Sequence, residues 1–196
     1  MRDGLFIAVV GPSGAGKDTL LKHAAEALKD RGDVVFARRV ITRTCDGQTE
    51  DHDTLNPEAF EAARASGAFC VDWGAHGLFY GLPSTLLEAA EAGKAIIANV
   101  SRDVLDECLT VFGKLAIIEV TVDEPVLGQR IAARGRESAT EALARTKRSR
   151  TVAVPPGADH VRIDNSGSIE TANTAFVAAL TSLVSEREAK TPVVAD

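Results

Sequence analysis

Residues 9–22 read VVGPSGAGKDTLLK, a stretch in which glycine spacing, a lysine and a carboxylate stand between an apolar run and a helical one. Gly11, Pro12, Ser13, Gly14, Ala15, Gly16 and Lys17 satisfy G-x-x-x-x-G-K in that strand-to-helix context, the pattern of a loop that cradles the phosphates of ATP. Glycines let successive backbone N–H groups turn inward, the helix N-terminus adds partial positive charge, and Lys17 reaches the outer phosphates. A glycine-rich turn that binds nothing is the plain alternative, and a lysine in register argues against it. The nucleotide-contacting run extends through Asp18 and Thr19. In most such loops Ser or Thr follows the lysine and its hydroxyl ligates magnesium. Magnesium also accepts carboxylate oxygen, directly or through water, so Asp18 fits the metal role with a full charge. An acid favoured by the helix dipole is the other reading of Asp18. The run AIIANV, 95–100, offers no second strand-end acid to share the ion.

Two further groups of residues have the types that phosphate chemistry needs. Arg130, Arg134 and Arg136 surround Gly135, and Arg145, Arg148 and Arg150 follow on the next helical segment of a net acidic chain. Guanidinium groups fit phosphate oxygens bidentately and stabilise charge on a transferring phosphoryl group, so a hinged hairpin over 130–150 reads as a closing lid. With Lys17, the candidate catalytic residues there are Arg134, Arg136 and Arg145. The alternative is a solvated basic helix face paired with Glu137 and Glu141. Arg43 lies just after a strand, and Asp72, His76 and Tyr80 fall within nine residues of turn-rich chain, an arrangement that suits an acceptor pocket. Singly, His76 also reads as a surface residue, and Trp73 and Phe79 as core. Asn99, Ser101 and Arg102 follow a strand at the edge where open α/β sheets bind ligands, though Ser101 equally suits a helix N-cap.

These residues need elements to position them. Apolar runs at 5–10, 34–41, 95–100, 115–122 and 160–164 alternate with segments of helical period, the pattern of a five-stranded parallel sheet flanked by helices in an α/β domain. One helix opens at Lys17 and stops near Gly32; another begins at Pro57 after an Asn56 cap and runs out at Gly67. The last helix carries Ile169, Ala172, Phe176, Val177, Leu180, Leu183 and Val184 on one stripe, and 186–196 reads as a frayed tail. The expectation is one kinase-like domain over 1–196, with a core of 1–41, 83–129 and 151–188. Residues 42–82 form a small antiparallel insert over the sheet edge, and 130–150 the lid.

The bulk properties narrow the class. The 196 residues, 45% of them apolar, suit one domain with a sizeable core. A formal charge of -6 and a pI near 5.3 argue against nucleic acid as partner. Cys45, Cys70 and Cys108 show no metal or disulfide spacing and read as reduced thiols. No leader pattern and no apolar run of about 18 residues is present, so the expectation is a cytoplasmic protein with no membrane partner. A homodimer stays open.

Taken in order, GPSGAGKD, ITR, FYG, RIAARGRE and IDNSGSIETA resemble the guanylate-kinase-like branch of the nucleoside monophosphate kinases along nearly the whole chain. Those kinases carry a second arginine where this chain has Asp46, a hydroxyl residue where it has Leu82, and a guanine-reading acid where it has ANVSR. The Lys-Asp loop end, WGAHGLFYG, NVSR and DNSGS are more similar to the ribose 1,5-bisphosphate phosphokinases, relatives linked to phosphonate use. That resemblance implies transfer of the ATP γ-phosphoryl group to the 1-phosphate of a small sugar bisphosphate, with Mg2+ as cofactor. It further implies that Lys17 and the lid arginines hold the transferring group and Asp18 the magnesium. Arg43, His76, Tyr80 and Arg102 would hold the sugar phosphates. A guanylate or other nucleotide kinase with a diverged pocket, and a non-catalytic interaction module of the same fold, are the competing readings.

Overall fold

The computed structural model of the chain describes residues 3–43, 52–75, 77–133 and 151–190. In chain order its strands are β1 (Leu5–Val10), β2 (Val34–Phe36), β3 (Arg39–Ile41), β4 (His52–Thr54), β5 (Phe69–Ala75), β6 (Leu78–Pro83), β7 (Ala95–Asn99), β8 (Leu115–Thr121) and β9 (Asp159–Asp164). Its helices are α1 (Lys17–Ala27), α2 (Pro57–Ala65), α3 (Leu86–Glu91), α4 (Leu105–Phe112), α5 (Glu124–Ala133) and α6 (Ile169–Lys190). Every residue of β1 is buried, as a strand covered on both faces requires. It forms the centre of a five-stranded sheet of order β2-β7-β1-β8-β9, in which each pairing is parallel. Strand alternation divides the core in two. Phe6, Ala8 and Val10 face α4, where the Phe6 and Phe112 rings stack at 4.4 Å. Leu5, Ile7 and Val9 face the other way, toward Leu20 of α1 and the Phe176, Leu180 and Val184 stripe of α6.

The apolar run 34–41 is not one strand. The Ala37 amide donates to the Ile97 carbonyl at 2.8 Å, and the chain then leaves the central sheet. β2, at the edge of that sheet, is only half-buried and ends at Phe36. β3 then opens a second, four-stranded sheet of order β4-β3-β6-β5. The insert therefore begins at Arg39 and not at residue 42. Its sheet is mixed, because β4 runs parallel to β3 while β6 runs antiparallel to both β3 and β5.

The helix signals hold with small shifts. The Asn56 side chain accepts from the Ala59 amide at 2.8 Å, with Pro57 in the first turn of α2. α1 ends at Ala27, short of Gly32, and the Leu28 amide meets a carbonyl of its last turn. α6 continues to Lys190, so 186–190 belongs to the helix and not to a frayed tail. Among the described residues no helix is long and apolar enough to cross a membrane.

Candidate active site

The loop between β1 and α1 closes on itself. Gly16, at the α1 N-cap, has φ 88° and ψ 14°, a left-handed conformation, and a Cβ there would overlap the side-chain amide of Asn165. Lys17 Nζ folds back to donate to the carbonyls of Gly11 at 2.8 Å and Pro12 at 3.0 Å, which holds the ammonium across the loop. From the far side, the fully buried Asn165 donates through Nδ2 to the Ala15 carbonyl at 2.7 Å. Its own amide donates to the Thr121 carbonyl, so it ties β8, β9 and the phosphate loop together. Asn165 Oδ1 is buried and has no hydrogen-bond partner among the described residues.

Asn165 sits in a turn that is itself braced. Asp164 accepts from the Ser166 amide at 2.9 Å and from its hydroxyl, and Ser166 Oγ accepts from the Asp123 amide at 2.8 Å. The Ser166 hydroxyl, and then its amide, hold the Asp164 carboxyl below the usual aspartate range. α5, which starts beside this turn, packs Leu127 and Ile131 against Gly14 and brings Arg130 beside Gly16. Arg130 is thus the one basic residue of the expected lid that the described residues include. Arg134, Arg136, Arg145, Arg148 and Arg150 lie outside them.

Asp18 and Asn99, 81 positions apart, meet at the end of the central sheet, where Asn99 Nδ2 donates to Asp18 Oδ1 at 2.9 Å. The first turn of α1 is thereby joined to the end of β7. Arg39, which sequence reasoning did not single out because it lay inside the run assigned to one strand, is near enough for the Asp18 carboxylate to act on it. Its side chain is only 7% exposed. Burial pulls the guanidinium down to about 10, Asp18 and then Tyr80 act against that pull, and Arg43 adds to it. The group is still a cation at neutral pH.

The second sheet sorts the remaining candidates by face. Trp73 pairs with Tyr80, their rings stacked at 5.4 Å and nearly parallel, and Arg39 lies over the Tyr80 ring. Arg43 lies two residues beyond the end of β3, its carbonyl bonded by the Thr54 hydroxyl at 3.1 Å. Asp72 does not join this group. Strand alternation turns it to the opposite face, where it pairs with Arg64 of α2 at 2.6 Å, and Arg64 lies over the Phe60 and Phe79 rings. The spacing of nine residues hid this separation. His76 falls outside the described residues.

Beyond β7, the Ser101 hydroxyl accepts from the Asp103 amide at 3.3 Å and so caps the 3-10 turn at Arg102–Val104. Arg102 approaches Glu119 of β8 at 3.6 Å, and the same carboxylate accepts from Arg162 at 2.9 Å and contacts His160 at 3.2 Å. Glu119, 4% exposed, was concealed in the sequence as one polar letter in an apolar strand. Cys70 Sγ lies 3.5 Å from the Leu82 and Pro83 carbonyls, and burial pushes the Cys108 thiol up to about 12. Cys45 lies outside the described residues. Among the described residues no group of three or more His, Cys, Asp or Glu side chains gathers as a metal site.

A glycine loop with its lysine at a helix start, and cations such as Arg39 near it, have the chemistry to hold a polyphosphate against a second anion. A family model described as an AAA domain matches residues 6–153. The ribose 1,5-bisphosphate phosphokinase PhnN of Agrobacterium fabrum is 44% identical over 175 residues, which cover 89% of this chain and 95% of that protein. The protein of the same name from Brucella melitensis is 45% identical over 89% of this chain and 90% of its own. In fold, guanylate kinase from Anaplasma phagocytophilum superposes with a TM-score of 0.64 at 16% identity, covering 97% of this chain and 89% of that one. With identity at this level along almost the full length of both relatives, the chain belongs to the ribose 1,5-bisphosphate phosphokinase family of P-loop kinases.

Proposed function

We propose that this protein transfers the γ-phosphoryl group of ATP to the 1-phosphate of ribose 1,5-bisphosphate, giving 5-phosphoribosyl 1-diphosphate and ADP. The observation that carries the reading is the collinear identity with phosphokinases of that name, in a chain whose phosphate loop is intact. An oxygen of the acceptor phosphate attacks the γ-phosphorus, and the bond from that phosphorus to the β,γ-bridging oxygen breaks, leaving ADP. A phosphate oxygen is already deprotonated near neutral pH, so no general base is required and catalysis is alignment plus charge stabilisation.

In this reading Gly11–Lys17 cradle the β and γ phosphates and Lys17 moves from its loop carbonyls to phosphate oxygen. Arg130, with Arg134, Arg136 and Arg145 assigned from the family resemblance, meets charge on the transferring group. Arg43, His76, Tyr80 and Arg102 bind the sugar phosphates, while Asn99 and Ser101 shape the strand end, and Asp72 is left to its structural pair with Arg64.

A kinase of this family works with a divalent metal, and the reading takes it as magnesium. The donor set fits, since magnesium in such sites takes one or two carboxylates alongside substrate phosphates and water, and Asp18 supplies one. When bound, the ion would neutralise charge between the β and γ phosphates. Three cysteines without metal or disulfide spacing suit a reducing cytoplasm. An ADP-release assay with ribose 1,5-bisphosphate and GMP offered separately tests the assignment. Turnover confined to the sugar bisphosphate supports it, and turnover confined to GMP overturns it.

A further inference from the structure

Arg39 occupies a position where a strand would ordinarily place an apolar side chain. The register pairs Ile41 with Tyr80 and Val40 with Gly81, so Arg39 shares its face with Ile41, Tyr80 and Leu82, and across β6 with Trp73 and Val71. Val71, Trp73 and Leu82 on that face belong to the main core. A buried cation in such a setting is costly, and an apolar residue of similar volume would generally serve stability as well or better. Its location points to a use. Ala37 is bonded to Ile97, two residues before Asn99, so the chain delivers Arg39 to the strand end where Asn99 holds Asp18. The guanidinium also lies over the Tyr80 ring at 5.4 Å, which fixes one side of the group. The cation therefore belongs to the sheet that carries Tyr80 and lies within electrostatic reach of Asp18 in the first turn after the phosphate loop.

We propose that Arg39 binds a phosphate of the acceptor and that Asp18 is its positioning residue, so that the carboxylate after the loop lysine joins the donor loop to the acceptor pocket. The inference rests on the sugar bisphosphate reading of this same site. A guanidinium offers a planar fork of donors, so it can face the Asp18 carboxylate on one edge and an acceptor phosphate on another. This role is compatible with a metal contact by Asp18, because the two are read by different measurements: magnesium dependence for the metal, acceptor affinity for Arg39.

The experiment compares wild type with Arg39→Met, Arg39→Lys and Asp18→Asn. Acceptor affinity is measured by calorimetric titration of ribose 1,5-bisphosphate and by the acceptor KM, alongside the KM for ATP. Losing a hydrogen-bonded ion contact should weaken acceptor binding by about 10- to 100-fold in Arg39→Met, with the KM for ATP changed by less than about threefold. Arg39→Lys keeps the charge without the fork and should fall between wild type and Arg39→Met. Asp18→Asn should weaken acceptor binding by about tenfold, and combining it with Arg39→Met should add little, as expected for two residues acting through one contact. Arg39→Met keeps the apolar stem and should fold; should it not, the comparison is made between wild type and Arg39→Lys. Wild type that binds ribose 1,5-bisphosphate while the folded Arg39 variants bind it equally well overturns this inference alone. Wild type that fails to bind the sugar bisphosphate overturns the functional reading, and the inference with it.

Discussion

Lys17 and Asn165 hold the phosphate loop from opposite sides, and they make different predictions. On the reading proposed above, replacing Lys17 by Ala removes an ammonium assigned to phosphate charge, at a helix start where alanine is the best-tolerated residue. Turnover should fall by on the order of 10³-fold or more while the thermal midpoint stays close to that of the parent. Turnover of Lys17→Ala within about tenfold of wild type would remove the lysine from the transferring group. Asn165→Ala should do the reverse in part. It strips the Ala15 carbonyl of a buried donor, at a cost of about 1–3 kcal/mol in stability, and loosens the loop. The expected result is a lower midpoint together with a raised KM for ATP and an unchanged KM for the acceptor, followed by thermal melts and initial rates. The glycine loop and its lysine were legible because their types and spacing carry the chemistry themselves. Asn165 was not, since a polar residue after a strand reads as an ordinary turn, and only the fold brings it, 150 positions along the chain, to Ala15.

At the scale of elements, the turn after β9 ties the sheet edge to the start of α5. Its Asp164 carboxyl is held below the ordinary value of 3.8 by Ser166. A carboxyl with a lowered folded-state pKa stabilises the fold above its unfolded value, and that contribution is lost as pH falls through the lowered one. Asp164 is almost fully exposed, so the effect on global stability should be small and the readout local. Ser166→Ala should raise the Asp164 pKa toward the ordinary value, as followed by carboxyl carbon chemical shifts during acid titration. An unmoved titration would mean that Ser166 does not brace the turn. Element boundaries also show where the sequence misleads. The Asn56 cap and the α6 stripe depend on local spacing and were readable. The break after Ala37 depends on which sheet pairs the next residues, with Val40 and Ile41 registered on β6 and not on β7, and Asp72 is separated from Tyr80 by strand alternation within one short hairpin.

For the molecule as a whole, the parallel central sheet places the loop after β1 and the ends of β7 and β9 at one edge, and what distinguishes one kinase of this shape from another is the acceptor. The likeness to guanylate kinase extends to the fold, whereas on the reading proposed above the acceptor side is Arg39, Arg43 and Tyr80, with the apolar Leu82 wholly buried. A site that lacks partners for the guanine edge should reject the base by about 10⁴-fold or more, because polar groups of the base would be buried unmatched. The most direct measurement is therefore the ratio of kcat/KM for ribose 1,5-bisphosphate to that for GMP, with ATP as donor and products followed by phosphorus resonance. The account predicts 5-phosphoribosyl 1-diphosphate and ADP as products, at a ratio of about 10⁴ or greater. Use of GMP at a comparable or higher kcat/KM would contradict it.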